Sequence, residues 1–115
     1  MPPQWMPEKV NVYLAADIKK TLAEKGFHPT IITAGRIPTA QVAESVLQNN
    51  EADMVAIARP ILCDPYWPNK FKEGREKDLL KCIYCNECRE AEGAFEEVTC
   101  VQWKKKDGTI QPPAS

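Results

Sequence analysis

Four cysteines in the last third of this chain follow one tight spacing pattern, C-x2-C-x2-C-x11-C. They are Cys82, Cys85, Cys88 and Cys100. Three thiolates spaced three residues apart can surround one side of a single inorganic centre, and a fourth can complete it from a returning segment. All-cysteine ligation of this density is typical of a [4Fe–4S] cluster. The spacing therefore predicts an iron–sulfur site, and the surrounding chain must fold in a way that brings these sulfurs together.

Two other uses of the same cysteines stay open. A structural zinc ion also takes four thiolates, but usually as two separated C-x2-C pairs, and here the third cysteine arrives too early for that pattern. Disulfides belong to oxidising compartments. The first residues contain no apolar stretch of the signal-peptide type, which favours a cytoplasmic protein with reduced thiols. The fifth cysteine, Cys63, follows Ile61 and Leu62 and is predicted to be a small buried apolar residue.

Length and charge limit the function classes. At 115 residues the chain forms one domain at most. It carries 15 basic and 16 acidic residues, and a net charge of −1 gives no general attraction to nucleic acid or to an anionic membrane. No apolar run is long enough to span a bilayer. We therefore expect neither nucleic acid nor membrane as a partner.

The pattern of apolar residues predicts alternating helices and strands. A helix begins near Asn11, a good capping residue, and Leu14, Ile18 and Leu22 form its apolar stripe. A short run of β-formers over residues 30–34 follows, and its lack of alternation predicts a strand covered on both faces.

A second helix and a second strand complete the unit. Thr39 is the expected cap of the helix, and residues 53–58 read as another buried strand. Strand, helix and strand with short connections predict a parallel pair with a right-handed crossover. Further along, Asp64 is expected to cap a helix that has Pro65 at its first position. The acidic stretch between Cys88 and Cys100 is expected to be a loop.

Both predicted strands end in a small residue followed by an arginine. The pairs are Gly35-Arg36 and Ala58-Arg59. Small residues let backbone N–H groups approach an anion, arginine supplies charge and a fork of donors, and a following helix adds a favourable dipole. This arrangement suits a phosphate group. The alternative is that Gly35 serves a tight turn and that both arginines form surface ion pairs.

Four stretches together resemble one enzyme family. They begin at Ile32 (Ile-Thr-Ala-Gly-Arg-Ile-Pro), Ala52 (Ala-Asp-Met-Val-Ala-Ile-Ala-Arg-Pro), Asp64 (Asp-Pro-Tyr-Trp-Pro-Asn-Lys) and Cys82 (Cys-Ile-Tyr-Cys-Asn-Glu-Cys). In this order and with these gaps they resemble the old yellow enzyme family of FMN-dependent NADH:flavin oxidoreductases. The resemblance is to its iron–sulfur branch, which includes 2,4-dienoyl-CoA reductase, 2-enoate reductase and trimethylamine dehydrogenase. It extends from about residue 8 to residue 103.

The resemblance implies an α/β fold in which residues 30–35 and 53–58 are strands 7 and 8 of a (β/α)8 barrel. It places Gly35, Arg36, Ala58 and Arg59 at the FMN phosphate, and Cys82, Cys85, Cys88 and Cys100 at the [4Fe–4S] cluster. In the family the cluster passes single electrons between a distant flavin and FMN, which exchanges hydride with an organic substrate. Members usually carry glycine where this chain has Ala58, and alanine disfavours positive φ, so weaker FMN binding is expected.

The same resemblance implies that most of a barrel is missing. Strands 1 to 6 have no counterpart here, and the family's catalytic tyrosine and histidine residues lie on those strands, so no catalytic residue is assigned. The expected division is a partial barrel over residues 1–80, a cluster segment over 81–103, and a tail or linker over 104–115. The expected partner is the missing barrel segment or another subunit. The alternative is a stand-alone electron-transfer or structural metal-binding module.

Overall fold

The computed structural model describes all residues, 1–115, and its secondary structure is mixed α/β. Two compact units are present, one over Gln4–Ile57 and the other over Ala58–Ser115. None of the helices has the length and apolar character needed to cross a bilayer. The first unit contains α1 (Val12–Glu24), β1 (Ile32–Ala34), α2 (Ala40–Gln48) and β2 (Met54–Ala56). The second contains α3 (Arg59–Cys63), α4 (Trp67–Lys72), α5 (Glu87–Gly93) and two 3₁₀ turns, Glu76–Asp78 and Val101–Trp103.

The two strands of the first unit pair in parallel, as the strand–helix–strand pattern predicts. Ile32 lies opposite Met54, and Ala34 lies opposite Ala56. Each strand has three residues and is shorter than its predicted range. Because the pairing is in register, both strands end at the same level.

The core of this unit is formed by a different face of α1 from the one predicted. Leu14 and Ile18 are 46% and 52% exposed, so the expected apolar stripe does not form the core. Val12 and Ala15 are buried instead. Residues three apart share a helix face, and the face with these smaller side chains packs against the rest of the unit. The cluster contains Val12, Ala15, Val46 and Ala52, with Ile31 and Val55 packed against it.

The expectation that the strands are covered on both faces is also wrong. Thr33 of β1 is 3% exposed, but Ile32 and its partner Met54 are 58% and 52% exposed. Successive side chains of a strand point to opposite faces. The core covers only the face that carries Thr33 and Val55, and no element of this unit covers the other. The strand pair therefore has an open apolar face.

Thr39 caps α2, as predicted. Its Oγ1 accepts a hydrogen bond from the backbone N–H of Val42 at 3.2 Å. Because the substitution Thr39→Ala leaves this N–H without its partner, we expect it to lower the free energy of unfolding by about 1 kcal/mol. Urea denaturation followed by circular dichroism measures the loss. Thr39→Ser should retain most of the stability, and an equal loss in both variants would contradict the capping role.

The second unit begins with two short helices, and here the predicted helix start at Pro65 is wrong. α3 ends at Cys63, and α4 begins only at Trp67. The carboxylate of Asp64 accepts the N–H of Tyr66 at 3.0 Å, and the carbonyl of Asp64 accepts the N–H of Trp67 at 3.0 Å. These bonds close a turn at Asp64 and delay the helix by two residues.

The segment between Cys88 and Cys100 was predicted to be a loop, but part of it is helical. Glu87–Gly93 forms the helix α5. Glu87 and Glu90 lie in its first turn, where the helix dipole favours negative charge. Its N-cap, Asn86, has a left-handed backbone with φ of 67°. Nearer the C-terminus, residues expected as tail or linker form an antiparallel bridge between Lys104 and Ile110.

Candidate metal centre and phosphate loops

All five cysteines of the chain line one small pocket in the second unit. The four predicted cluster ligands reach it from the segment before α5, from α5 itself and from the segment that returns at Cys100. The backbone N–H of Tyr84 donates to the sulfur of Cys82 at 3.3 Å. The other lining residues are Arg59, Leu62, Ile83, Asn86, Val101 and Gln102. The structure thus brings the five cysteines to the lining of one pocket.

The electrostatics at Cys82 disfavour a free thiolate. Burial raises the pKa of Cys82, while the Tyr84 N–H and the charge of Arg59 act in the opposite direction and only partly offset it. The neighbouring thiols of Cys100 and Cys88 also raise this pKa, because two negative charges repel at short range. An electropositive group bound among these sulfurs would relieve both effects.

The side-chain arrangement is not that of a closed site for a single ion. No group of three or more His, Cys, Asp or Glu side chains is arranged to hold a metal ion. The predicted ligands therefore share a pocket, but a ligating geometry is not formed in this structure.

Cys63 is buried, as predicted, at 2% exposure. Its place in the cysteine pocket was missed, because nothing in its spacing links it to the run at residues 82–88. The thiol of Cys63 donates a hydrogen bond to the carbonyl of Leu80 at 3.4 Å. Its sulfur accepts one from the side-chain amide of Gln102, also at 3.4 Å. Burial first, and then the nearby thiol of Cys100, raise the pKa of Cys63. It is thus a neutral, hydrogen-bonded thiol.

Arg59, predicted to contact a phosphate, is 6% exposed and contacts the cysteine segment. Its Nη1 donates to Oδ1 of Asn86 at 2.6 Å, and its guanidinium carbon lies 4.7 Å from the ring centroid of Tyr84. Nothing in the local sequence pattern indicates either contact. The preceding residue, Ala58, has φ of −110°. Alanine is therefore unstrained there, and the expected difficulty with positive φ does not arise.

Gly35 and Arg36, the other predicted phosphate residues, lie in the first unit, directly after β1. Both have positive φ, 110° and 53°. The guanidinium of Arg36 donates to the carbonyls of Met6 at 3.1 Å and Gln4 at 3.4 Å. Backbone carbonyls therefore accept hydrogen bonds from Arg36, as the side chain of Asn86 does from Arg59.

Asn11 supports the same turn, in a role that differs from the predicted one. It occupies the N-cap position of α1 but makes no side-chain cap bond. Its Nδ2 donates instead to the carbonyl of Ala34 at 2.9 Å. The side chain thus ties the start of α1 to the end of β1.

We expect Gly35→Ala to destabilise the first unit by about 1–3 kcal/mol, because φ of 110° is strained for alanine. In addition, the new Cβ would lie 2.6 Å from Nδ2 of Asn11 and would displace its hydrogen bond. Gly26→Ala is the matched control, since Gly26 also has positive φ (83°) but open space around it. In urea denaturation, Gly35→Ala should cost about 1 kcal/mol more than the control. Equal losses would show that the contact with Asn11 is unimportant.

Comparison with known proteins identifies relatives over most of the chain. Residues 4–78 match the model of the NADH:flavin oxidoreductase / NADH oxidase family. An NADH oxidase of Thermoanaerobacter brockii is 42% identical over 66% of this chain and 11% of its own length. A metal reductase of Desulforamulus reducens is 32% identical over 84% of this chain and 14% of its own length.

The fold is also shared with a solved structure. The 6-hydroxypseudooxynicotine amine oxidase of Pseudomonas geniculata N1 superposes with a TM-score of 0.74 at 24% identity, over 86% of this chain and 14% of that one. The chain thus spans 11–14% of the length of these three proteins. The matches confirm the resemblance drawn from the four sequence stretches: the chain belongs to the NADH:flavin oxidoreductase / NADH oxidase family.

Proposed function

We propose that this chain is part of an FMN-dependent, [4Fe–4S]-containing NAD(P)H:flavin oxidoreductase of the ene-reductase or amine dehydrogenase type. In this proposal Cys82, Cys85, Cys88 and Cys100 hold the cluster. The observation that carries it is the convergence of these four cysteines on one pocket in a member of this family. When bound, the cluster would supply single-electron transfer, and FMN would supply hydride exchange with an organic substrate.

The chemistry of the pocket supports a cluster. Its possible ligands are thiols, which are the usual ligands of iron–sulfur centres. The Tyr84 N–H on the sulfur of Cys82 is a contact that stabilises negative charge on a ligating sulfur. Arg59 adds a positive charge beside the same sulfur. Together these groups favour thiolates at a place where burial alone disfavours them.

The turn after β1, with Gly35 and Arg36, is proposed to be a turn that binds the FMN phosphate, and the family resemblance proposes the same role for Ala58 and Arg59, which follow β2. The positive φ of Gly35 supports a turn whose backbone N–H groups can face an anion.

The strand pair is proposed to be strands 7 and 8 of a (β/α)8 barrel, completed by a further barrel segment or another subunit. The open apolar face with Ile32 and Met54 supports this assignment, because strands inside a barrel have both faces covered. The short span of the chain relative to its relatives supports it as well.

Metal analysis tests the cluster. Protein purified or reconstituted without air should be brown and should contain about four iron and four sulfide per chain. Colourless protein with one zinc per chain would overturn the cluster and favour a structural metal-binding module.

Flavin titration tests how much of the FMN site the chain contains. We expect the isolated chain to bind FMN with a Kd above about 100 μM, equivalent to less than about 5.5 kcal/mol of binding free energy. The reason is that strands contacting the flavin ring have no counterpart among these residues. Fluorescence quenching of FMN measures the affinity. A Kd near 1 μM would show that these residues form most of the site.

A further inference from the structure

Arg59 contacts the cysteine segment at two points on either side of Cys85. Its ring contact is with Tyr84, which is 5% exposed, and its short hydrogen bond is with Asn86. Arg59 itself is 6% exposed. A buried guanidinium must be satisfied by such contacts, because burial of an unpaired charge is costly. The two contacts therefore restrain the residues before and after a predicted cluster ligand.

The backbone at these two contact points has an unfavourable conformation. Tyr84 and Asn86 have φ of 55° and 67°. Left-handed backbone is uncommon for residues other than glycine, and asparagine tolerates it better than a bulky residue such as tyrosine. Such conformations persist only when surrounding structure holds them. At Tyr84 this conformation accompanies the N–H bond to the sulfur of Cys82.

We propose that Arg59 is a positioning residue for the cysteine segment. By stacking on Tyr84 and bonding to Asn86, it restrains the backbone of the segment that carries Cys82, Cys85 and Cys88, the cysteines proposed to receive a cluster. This inference rests on the proposed function for the identity of the bound group. The restraint itself is a property of the metal-free chain, and it requires no flavin.

The experiment compares Arg59→Met and Arg59→Lys with the unchanged chain, all free of FMN. Two quantities are measured: amide hydrogen exchange over residues 82–88 in metal-free protein, and the rate at which reconstituted protein loses iron to a chelator. We expect Arg59→Met to accelerate both by about tenfold or more, the factor for losing a hydrogen bond to a charged group. Arg59→Lys should lie between, because lysine keeps the charge but lacks the planar fork.

Arg36→Met is the matched control, because Arg36 is the other predicted phosphate arginine and donates to the carbonyls of Met6 and Gln4. It should leave exchange over residues 82–88 and iron loss unchanged. If Arg59→Met also leaves both unchanged, Arg59 does not hold the segment, and the inference fails.

Two further variants keep the test decisive if Arg59→Met unfolds. Asn86→Gly accepts the left-handed backbone but removes the acceptor, and Tyr84→Leu removes the ring; each should accelerate exchange and iron loss. Tyr84→Phe keeps the ring and should match the unchanged chain. Unchanged exchange in both Asn86→Gly and Tyr84→Leu would overturn the inference. If the chain takes up no iron at all, the proposed cluster fails, while hydrogen exchange still decides the role of Arg59.

Discussion

The Cys85→Ser chain is expected to lose most of the iron and the brown colour that the unchanged chain gains on reconstitution without air. Cys85 is the middle cysteine of the C-x2-C-x2-C run and lines the shared pocket. A [4Fe–4S] cluster takes one thiolate at each iron, and a serine oxygen is a harder, poorer ligand for iron–sulfur centres than sulfur is. Iron and sulfide assays with the visible spectrum measure the loss. Equivalent losses are expected for serine at positions 82, 88 and 100.

Cys63→Ser is the matched control, because Cys63 lines the same pocket and is a neutral thiol bonded to Leu80 and Gln102. It should keep nearly all its iron. Full iron retention in Cys85→Ser would remove Cys85 from the ligand set. If Cys63→Ser loses as much iron as Cys85→Ser, Cys63 is a ligand. In that case Cys100, or another of the four cysteines proposed as ligands, is not one.

The Asp64→Asn substitution is expected to destabilise the second unit by about 3–5 kcal/mol. The side chains of Asp64 and Lys70 are 0% and 2% exposed, and the carboxylate of Asp64 lies 2.8 Å from the ammonium group of Lys70. The carboxylate also accepts the N–H groups of Tyr66 and Leu80, each at 3.0 Å. Neutralising Asp64 leaves a buried ammonium group whose other bond is to the carbonyl of Asp78. Denaturant unfolding of the metal-free chain measures the effect.

An exposed pair in the same unit provides the control. Arg75 and Glu73 lie 2.7 Å apart with side chains 36% and 55% exposed, so Glu73→Gln should cost less than about 1 kcal/mol. The double substitution Asp64→Asn with Lys70→Met removes the stranded charge and should recover much of the lost stability. A loss below about 1 kcal/mol in Asp64→Asn would show that the buried pair contributes little.

Asp64 also determines part of the acid sensitivity. Burial raises its pKa, but the hydrogen bond from Lys70 and the N–H groups of Leu80 and Tyr66 outweigh burial, so the folded-state pKa is lowered. A lowered pKa stabilises the folded state above the unfolded-state value of about 3.9. That stability is lost as the pH falls through the folded-state value. The Asp64→Asn variant lacks this carboxyl group, so its free energy of unfolding should fall less than that of the unchanged chain as the pH decreases from 5 to the acid transition.

The elements that sequence analysis predicted well depend on local signals. The first helix and the Thr39 cap follow from residues within one or two turns of each other, and the parallel pairing follows from a short strand–helix–strand connection. That Cys82, Cys85 and Cys88 line one pocket also follows from a local signal, because they lie within seven residues.

The features that were missed depend on contacts between distant residues. Arg59 and Asn86 are 27 positions apart, and Asp64 reaches Leu80 across 16. Arginine and aspartate are ordinarily surface residues, so nothing in the local pattern indicated that these would be buried. The prediction of the buried face of α1 was wrong for a related reason. The apolar stripe shows which residues prefer burial, but it does not show which part of the chain packs against the helix.

The open face of the strand pair has a consequence for handling the isolated protein. Ile32 and Met54 are paired, exposed residues of a two-stranded sheet whose three-residue strands have unpaired outer edges. Such a surface favours edge-to-edge association with further copies of the chain, so aggregation should increase steeply with protein concentration. Dilute samples, or a solubilising fusion, are therefore the appropriate form in which to study the cysteine site.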